Sequence, residues 1–307
     1  MTTTNRLEYD GKTGDLYGIW AMNILLKVVT LGIYSFWGKT RMRRYLASSF
    51  ALGGDRFQYI GTGMELFLGF LKALPIILLI YSPLIIWNPE QYPVVNLVFF
   101  PIIFLIFAGI YFAMRYRLSR LTWRGVRGRL TGSPWAYAAL RIGRFILNVV
   151  TLGYLVPHSD MKIQRFVMEN VHFGSAKAEF NGDHKPLVGI NLITILIFIP
   201  TLGFSRLWYR AAMMNHVYSC TTIGGLQLRG HFSGGKIFWL LFGNMLWILL
   251  TLGIGAPVVI QRNMKFLAST LTLEGDLETS SILQSTEKLG TSGEGLDGFF
   301  DGGEIGL

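Results

Sequence analysis

At 307 residues the chain is long enough for two soluble domains. Its composition argues against that: 51% is hydrophobic, 14% aromatic and only 15% charged, with a mean hydropathy of +0.42. The net charge of +10 is unevenly spread, because residues 1–273 carry 27 Lys and Arg against 10 Asp and Glu, whereas residues 274–307 carry eight acids and Lys288 alone.

Met1–Lys12 is polar and the first apolar run begins near Leu16, so no cleavable signal peptide is expected. Leu7–Gly11 alternates apolar and polar residues and ends in Gly, which predicts a short strand and its turn. Leu16–Trp37 follows. Its first arm, Leu16 to Val29, would reach about 21 Å as a helix, short of a bilayer core of about 30 Å. Thr30-Leu31-Gly32 predicts a bend there, with Gly permitting the reversal and the Thr hydroxyl meeting a freed carbonyl. A basic segment, Lys39, Arg41, Arg43 and Arg44, then leads to a second strand signal at Phe57–Gly61.

Leu66–Trp87 has twenty-two residues with one charge, Lys72, and Val94–Met114 has twenty-one with none. Each is long enough to span a membrane as a helix. Their connection, Asn88–Pro93, lacks Lys and Arg. Arg41, Arg43, Arg44 and Arg56 precede the pair, and Arg115, Arg117, Arg120, Arg124, Arg127 and Arg129 follow it. Positive charge marks the cytoplasmic side, so the loop is expected outside and both flanks, with both termini, inside.

After a weaker strand signal at Arg129–Gly132, the first pattern returns. Trp135–Val156, Leu187–Phe204 and Ile237–Ile260 are apolar and contain Thr-Leu-Gly at 151–153, 201–203 and 251–253. Strand signals at Ala178–Gly182 and Leu226–Gly230 separate them. From strand Gly to bend Gly the distance is 21, 21, 21 and 23 residues in units one, three, four and five. A shift of 221 residues lays Asn23–Asp55 on Asn244–Asp276 with thirteen of thirty-three positions identical. A period near fifty residues implies one supersecondary unit used repeatedly. Basic residues flank these four stretches on both sides, so each reads as a short or re-entrant hairpin returning to the cytoplasm. The alternative is an ordinary kinked span with Thr and Gly as packing residues. Open strand edges cannot face lipid, so the strands must pair on the cytoplasmic side.

The run Asn23–Tyr45, with Thr-Leu-Gly-Ile-Tyr-Ser-Phe-Trp at its centre, and Phe57–Leu66 after it resemble the signature of the YjgN-like family of bacterial inner-membrane proteins. The tail segment Gly293–Phe299 is similar to tails in that family. The resemblance implies a multi-pass inner-membrane protein and supplies no reaction. The middle units depart from it, since Gly153-Tyr-Leu-Val-Pro157 lacks the Tyr-x-Phe-Trp sequence.

Candidate sites are few. Lys39, Arg41, Arg43 and Arg44, with Arg262 and Lys265 in the last unit, could contact anionic headgroups or simply anchor helix ends. Asn23, Thr30, Asn244 and Thr251 hold matching places and could line a polar path, or bond neighbouring helices. Lys27, Arg141 and Arg144 are charges within or beside apolar stretches, where long basic side chains snorkel. The five His and lone Cys220 have no metal-ligand spacing, no nucleophile or phosphate-loop motif is present, and neither cofactor nor catalysis is expected. The Arg-rich run 115–129 with Trp123 follows a span, which favours a membrane surface over nucleic acid.

The expected fold is mainly α, a polytopic membrane protein of about five pseudo-repeated helical hairpins with short cytoplasmic β-strands between them. Its units run roughly 6–56, 57–128, 129–177, 178–225 and 226–278, with 279–307 a disordered acidic tail. Phe299 and Phe300 in that tail read as a motif for a protein partner or as a solvated end. The expected role is non-catalytic, binding membrane lipid or protein partners through a basic cytoplasmic face. The alternative is a transporter or channel.

Overall fold

The computed structural model describes residues 4–86 and 97–275. Five successive segments each run strand, helix, helix, strand. The first is β1 (Thr4–Tyr9), α1 (Thr13–Val29), α2 (Ser35–Ser48) and β2 (Phe50–Leu52). The second is β3 (Asp55–Tyr59), α3 (Gly63–Ile86), α4 (Phe99–Arg120) and β4 (Leu121–Trp123). The third is β5 (Val126–Leu130), α5 (Pro134–Val150), α6 (Val156–Met168) and β6 (Val171–Phe173). The fourth is β7 (Ala176–Phe180), α7 (Lys185–Leu196), α8 (Arg206–Ser219) and β8 (Thr221–Ile223). The fifth is β9 (Leu226–Gly230), α9 (Gly234–Leu250), α10 (Ala256–Thr270) and β10 (Leu271–Glu274).

The strands form one closed antiparallel barrel in which sequence neighbours are spatial neighbours and β10 pairs with β1. Two kinds of connection alternate around it. Two-residue turns join β2 to β3, β4 to β5, β6 to β7 and β8 to β9 at one rim. In Gly53-Gly54, Arg124-Gly125 and Gly224-Gly225 both residues have positive φ, the hairpin geometry whose twist matches the strands. Helix pairs make the other connections, so all five leave from the opposite rim. At the seam, Thr4 faces Glu274 and Asn5 Nδ2 donates to the Gly275 carbonyl at 3.1 Å.

Register sorts the side chains by a period of two. Leu7 opposite Leu52, Phe57 opposite Trp123, Gly128 opposite Phe173 and Leu228 opposite Leu273 share one face. Glu8, Gln58, Arg129, Lys177, Glu179 and Arg229 share the other. Trp123 and Val126, beside the turns and remote from the helices, are only 3% and 8% exposed. Phe57, Trp123 and Phe173 make an aromatic run across neighbouring strands, with centroid distances of 6.2 and 6.0 Å. The apolar face therefore fills the barrel and the polar face is its exterior. Closure leaves no strand edge unpaired, which removes the template for aggregation that short open strands would present.

The helices pack in the order of the strands, except that α3 and α4 lean on α2 and α5 and scarcely touch each other. Leu16, Leu66, Tyr137, Leu187 and Ile237 each lie in the first turns of the first helix of a segment, and all are buried. They set the inner register of the helical layer, and Tyr111, Leu130, Tyr137, Ile163 and Val167 form one of the cores joining it to the barrel. At two helix crossings only Gly fits: a Cβ on Gly63 would lie 2.7 Å from Trp37 Cα, and one on Gly234 2.8 Å from Trp208 Cα.

The expectation of a mainly α polytopic protein with short intervening strands is thus overturned. The strands are a closed ten-stranded barrel, an element as organised as the helices. Among the described residues two helices, within α3 and α4, are long and apolar enough to cross a membrane. The physical reason lies in β2, β4, β6 and β8, three residues each. They directly follow a basic helix and are too short to show alternation, so sequence supplies one strand per unit where the structure has two. The outward loop at Asn88–Pro93 and the tail at 279–307 lie outside the described residues.

Candidate functional site

The helical rim exposes apolar surface that the barrel does not. α3 has 24 residues and α4 has 22, about 36 and 33 Å of helix at 1.5 Å per residue, enough for a hydrocarbon core near 30 Å. Leu78, Leu79, Phe100 and Ile103 on them are exposed. At the base, Arg120 Nε donates to Glu65 Oε2 at 3.0 Å and the Tyr116 hydroxyl donates to the same oxygen at 3.0 Å. That ion pair ties the two arms where they meet the barrel.

The other four helix pairs end in one shared turn. Leu31, Leu152, Leu202 and Leu252 all have φ of 49°, and the Gly after each is also positive. In the first, Gly32 N–H bonds the Lys27 carbonyl and Leu31 N–H the Val28 carbonyl, the two bonds of a Schellman helix end. The same pairs recur as Gly153 to Asn148 and Leu152 to Val149, Gly203 to Phe198 and Leu202 to Ile199, and Gly253 to Ile248 and Leu252 to Leu249.

Threonine completes each turn. Its hydroxyl donates one helical turn back, from Thr30 to Leu26 at 2.7 Å, Thr151 to Leu147 at 2.8 Å, Thr201 to Ile197 at 2.6 Å and Thr251 to Trp247 at 2.5 Å. It accepts the N–H four residues on, from Tyr34 at 2.9 Å, Leu155 at 3.4 Å, Ser205 at 3.2 Å and Gly255 at 2.7 Å. Backbone carbonyls take the remaining N–H groups of 30–35, 151–156, 201–206 and 251–256. The expected bend is there. Thr30 and Thr251 are used in making it.

Asn23 and Asn244 also act inside their own hairpins. Asn23 Nδ2 donates to the Gly38 carbonyl at 3.1 Å, and Asn244 Nδ2 to Asn263 Oδ1 at 2.7 Å. The Oδ1 of each is buried with no hydrogen-bond partner among the described residues.

The six basic candidates divide by environment. Arg43 is buried, donates to the Tyr59 hydroxyl at 3.3 Å and lies over that ring. Arg44 donates to the Gly61 carbonyl at 3.1 Å. Lys39 and Arg262 are half-buried, whereas Arg41 and Lys265 are exposed on α2 and α10.

A set of residues not singled out from the sequence repeats the Arg44 bond. Arg115 donates to the Gly132 carbonyl, Arg165 to Gly182 at 3.0 Å and Asn215 to Phe232 at 2.8 Å, each across 17 residues. Each latches a second helix to the end of the next segment's first strand. For the three arginines the constant offset of 17 residues from the strand glycine was the available signal, whereas Asn215 stands 15 residues before Gly230. Near the seam, Gln261 supports the first strand instead, donating to the Gly11 carbonyl at 2.5 Å and accepting from Tyr9 at 3.2 Å.

At the rim, the Arg56 guanidinium bonds both oxygens of Asp10, and that bond holds the Asp10 carboxyl below its ordinary pKa. Among the described residues no group of three or more His, Cys, Asp or Glu is placed to hold a metal.

The family model described as "Bacterial protein of unknown function (DUF898)" matches residues 4–205 and 192–299. The chain is similar to "Inner membrane protein YjgN" of Salmonella typhimurium, 38% identical over 65 residues, which is 21% of this chain and 16% of that protein. It is similar to the protein of the same name from Escherichia coli K12, 41% identical over 56 residues, 18% of this chain and 14% of that one. The matched stretches thus span about a sixth of the relatives' length. No solved structure matches.

Proposed function

We propose that this chain, which belongs to the bacterial DUF898 family of unknown function, is a non-catalytic component of the inner membrane. α3 and α4 cross the bilayer, the barrel and both ends of the chain stay on the cytoplasmic side, and exposed basic side chains meet anionic headgroups. The five segments are copies of one unit. The observation that carries this reading is the pair α3 and α4, two consecutive exposed apolar helices that enter and leave the same barrel rim. The relatives are named inner membrane proteins, which supports the location.

Headgroup contact falls to Arg41 and Lys265, because Arg43 and Arg44 are committed to Tyr59 and Gly61. Each basic residue near an anionic surface contributes roughly 1 kcal/mol. Arg41→Gln with Lys265→Gln should therefore weaken retention of anionic over neutral lipid about tenfold or more, read by lipid exchange in detergent and by mass spectrometry of bound lipid. Equal retention of both lipid classes by the parent protein would refute the headgroup role. Full release of the parent protein from membranes by alkaline carbonate would refute membrane integration.

A second reading, a transporter or channel, draws on the unpartnered oxygens of Asn23 and Asn244. Solute flux in reconstituted vesicles that is lost in Asn23→Leu with Asn244→Leu would select it.

A further inference from the structure

We infer that the four Thr-Leu-Gly turns are wedges that enter the hydrocarbon of the membrane tip first and return on the side they came from. This inference rests on the membrane reading above and assigns the lipid acyl region as the occupant of four further surfaces.

Residue choice at the tips favours lipid. The left-handed position at a Schellman helix end is ordinarily Gly, since a side chain there is strained. Here it is Leu four times, with exposures of 94%, 86%, 87% and 92%. A turn designed for water gains nothing from Leu at that place, because it meets both backbone strain and exposed apolar surface. In hydrocarbon the second penalty becomes a gain. The neighbours agree: Val28 and Val29, Val149 and Val150, Ile199, and Leu249 and Leu250 are exposed around the four leucines.

The hydrogen-bond inventory of the turns agrees. Reversing a helix in water can leave N–H groups to solvent, but in lipid each needs an internal partner. The N–H groups of 30–35, 151–156, 201–206 and 251–256 each have one, and in each window the single donor that no backbone carbonyl takes is bonded by the Thr hydroxyl. Arg206, just past the third tip, turns onto Asn191 Oδ1 at 2.9 Å and Thr194 Oγ1 at 3.2 Å, so its guanidinium finds hydrogen-bond acceptors within the protein. Lys27, exposed near the first tip, has a four-carbon stem to carry its ammonium toward a polar region.

Helix length fits as well. α1, α5 and α9 have 17 residues and α7 has 12, about 26 and 18 Å, and their first turns are buried against the barrel rim. These arms enter the bilayer without crossing it, unlike α3 and α4.

The experiment places a nitroxide at Val29→Cys, Val150→Cys or Leu250→Cys in a Cys220→Ser background, with Lys177→Cys on the barrel exterior as the water-exposed control. Collision rates with oxygen and with a water-soluble nickel chelate are measured in vesicles of mixed phosphatidylethanolamine and phosphatidylglycerol. The expected result is an oxygen-to-nickel ratio at least fivefold above that of Lys177→Cys at all three tips. Nickel access equal to the control would overturn the inference while leaving membrane integration intact. So would shielding from both reagents, which would mean a second copy covers the tips. Failure of Lys177→Cys protein to enter vesicles would overturn the membrane reading itself. A second arm uses Leu31→Asn, Leu152→Asn, Leu202→Asn and Leu252→Asn together, since Asn tolerates the left-handed backbone. Lower thermal stability in vesicles is expected, and a gain in stability would overturn the wedge.

Discussion

Arg44 on α2 bonds the carbonyl of Gly61, seventeen residues on, and the same step joins Arg165 to Gly182. Each bond crosses from one segment to the next, so the barrel and its helices are tied segment by segment. Replacing Arg165 by Met removes a charged donor and should destabilise the fold by about 1–2 kcal/mol. Thermal unfolding in detergent reads it. Arg165→Gln, too short to span the full reach but still a donor, should lose less.

The two glycines at helix crossings predict a steric contrast. Gly63→Ala and Gly234→Ala place a Cβ under 3 Å from the backbone of Trp37 and Trp208. Each should cost about 1–3 kcal/mol by forcing the helices apart. Gly143→Ala on α5 meets nothing within 4 Å and should be neutral or stabilising by about 0.5–1 kcal/mol. Equal effects at all three sites would show that the crossings are not close-packed.

The threonines make a third prediction. Thr151→Val keeps the shape of the bend but strands the Leu155 N–H and should cost about 1–3 kcal/mol. Thr151→Ser should recover most of it. Unfolding midpoints of the two variants, compared in the same detergent, decide the matter.

Asp10 and Arg56 set an acid limit. The bonds from Arg56 lower the Asp10 carboxyl pKa, so the folded state binds that proton more weakly than the unfolded chain. Stability from a depressed carboxylate is fully present above its unfolded value, about 3.9, and is lost as pH falls through the folded value. Asp10→Asn should therefore flatten the acid limb of the stability profile below about pH 4 and leave the profile near neutrality unchanged in shape.

Much of this arrangement was legible in the chain and some of it was hidden. Thr-Leu-Gly marked the bends because Gly and Thr have few other reasons to recur there at the end of an apolar arm. Strand glycines such as Gly61 and Gly182 marked the ends of the longer strands. The partners of those strands were hidden, since Phe50-Ala51-Leu52 or Val171-His172-Phe173 is too short for period-two alternation to show. Without them the closed barrel could not be counted. The basic helices misled in a different way. Arg41 and Arg43 look alike in sequence, yet Arg41 faces solvent and Arg43 lies on the Tyr59 ring. Which way each points depends on how α2 lies against β3, a tertiary fact with no local signal.

We propose above that α3 and α4 carry the chain through the membrane and back to the barrel. Sided labelling with an impermeant maleimide tests it most directly, using Lys177→Cys on the barrel and Leu97→Cys before α4, both exposed, in a Cys220→Ser background. Lys177→Cys should react only from the cytoplasmic face and Leu97→Cys only from the opposite face. Reaction of both from one face would contradict it.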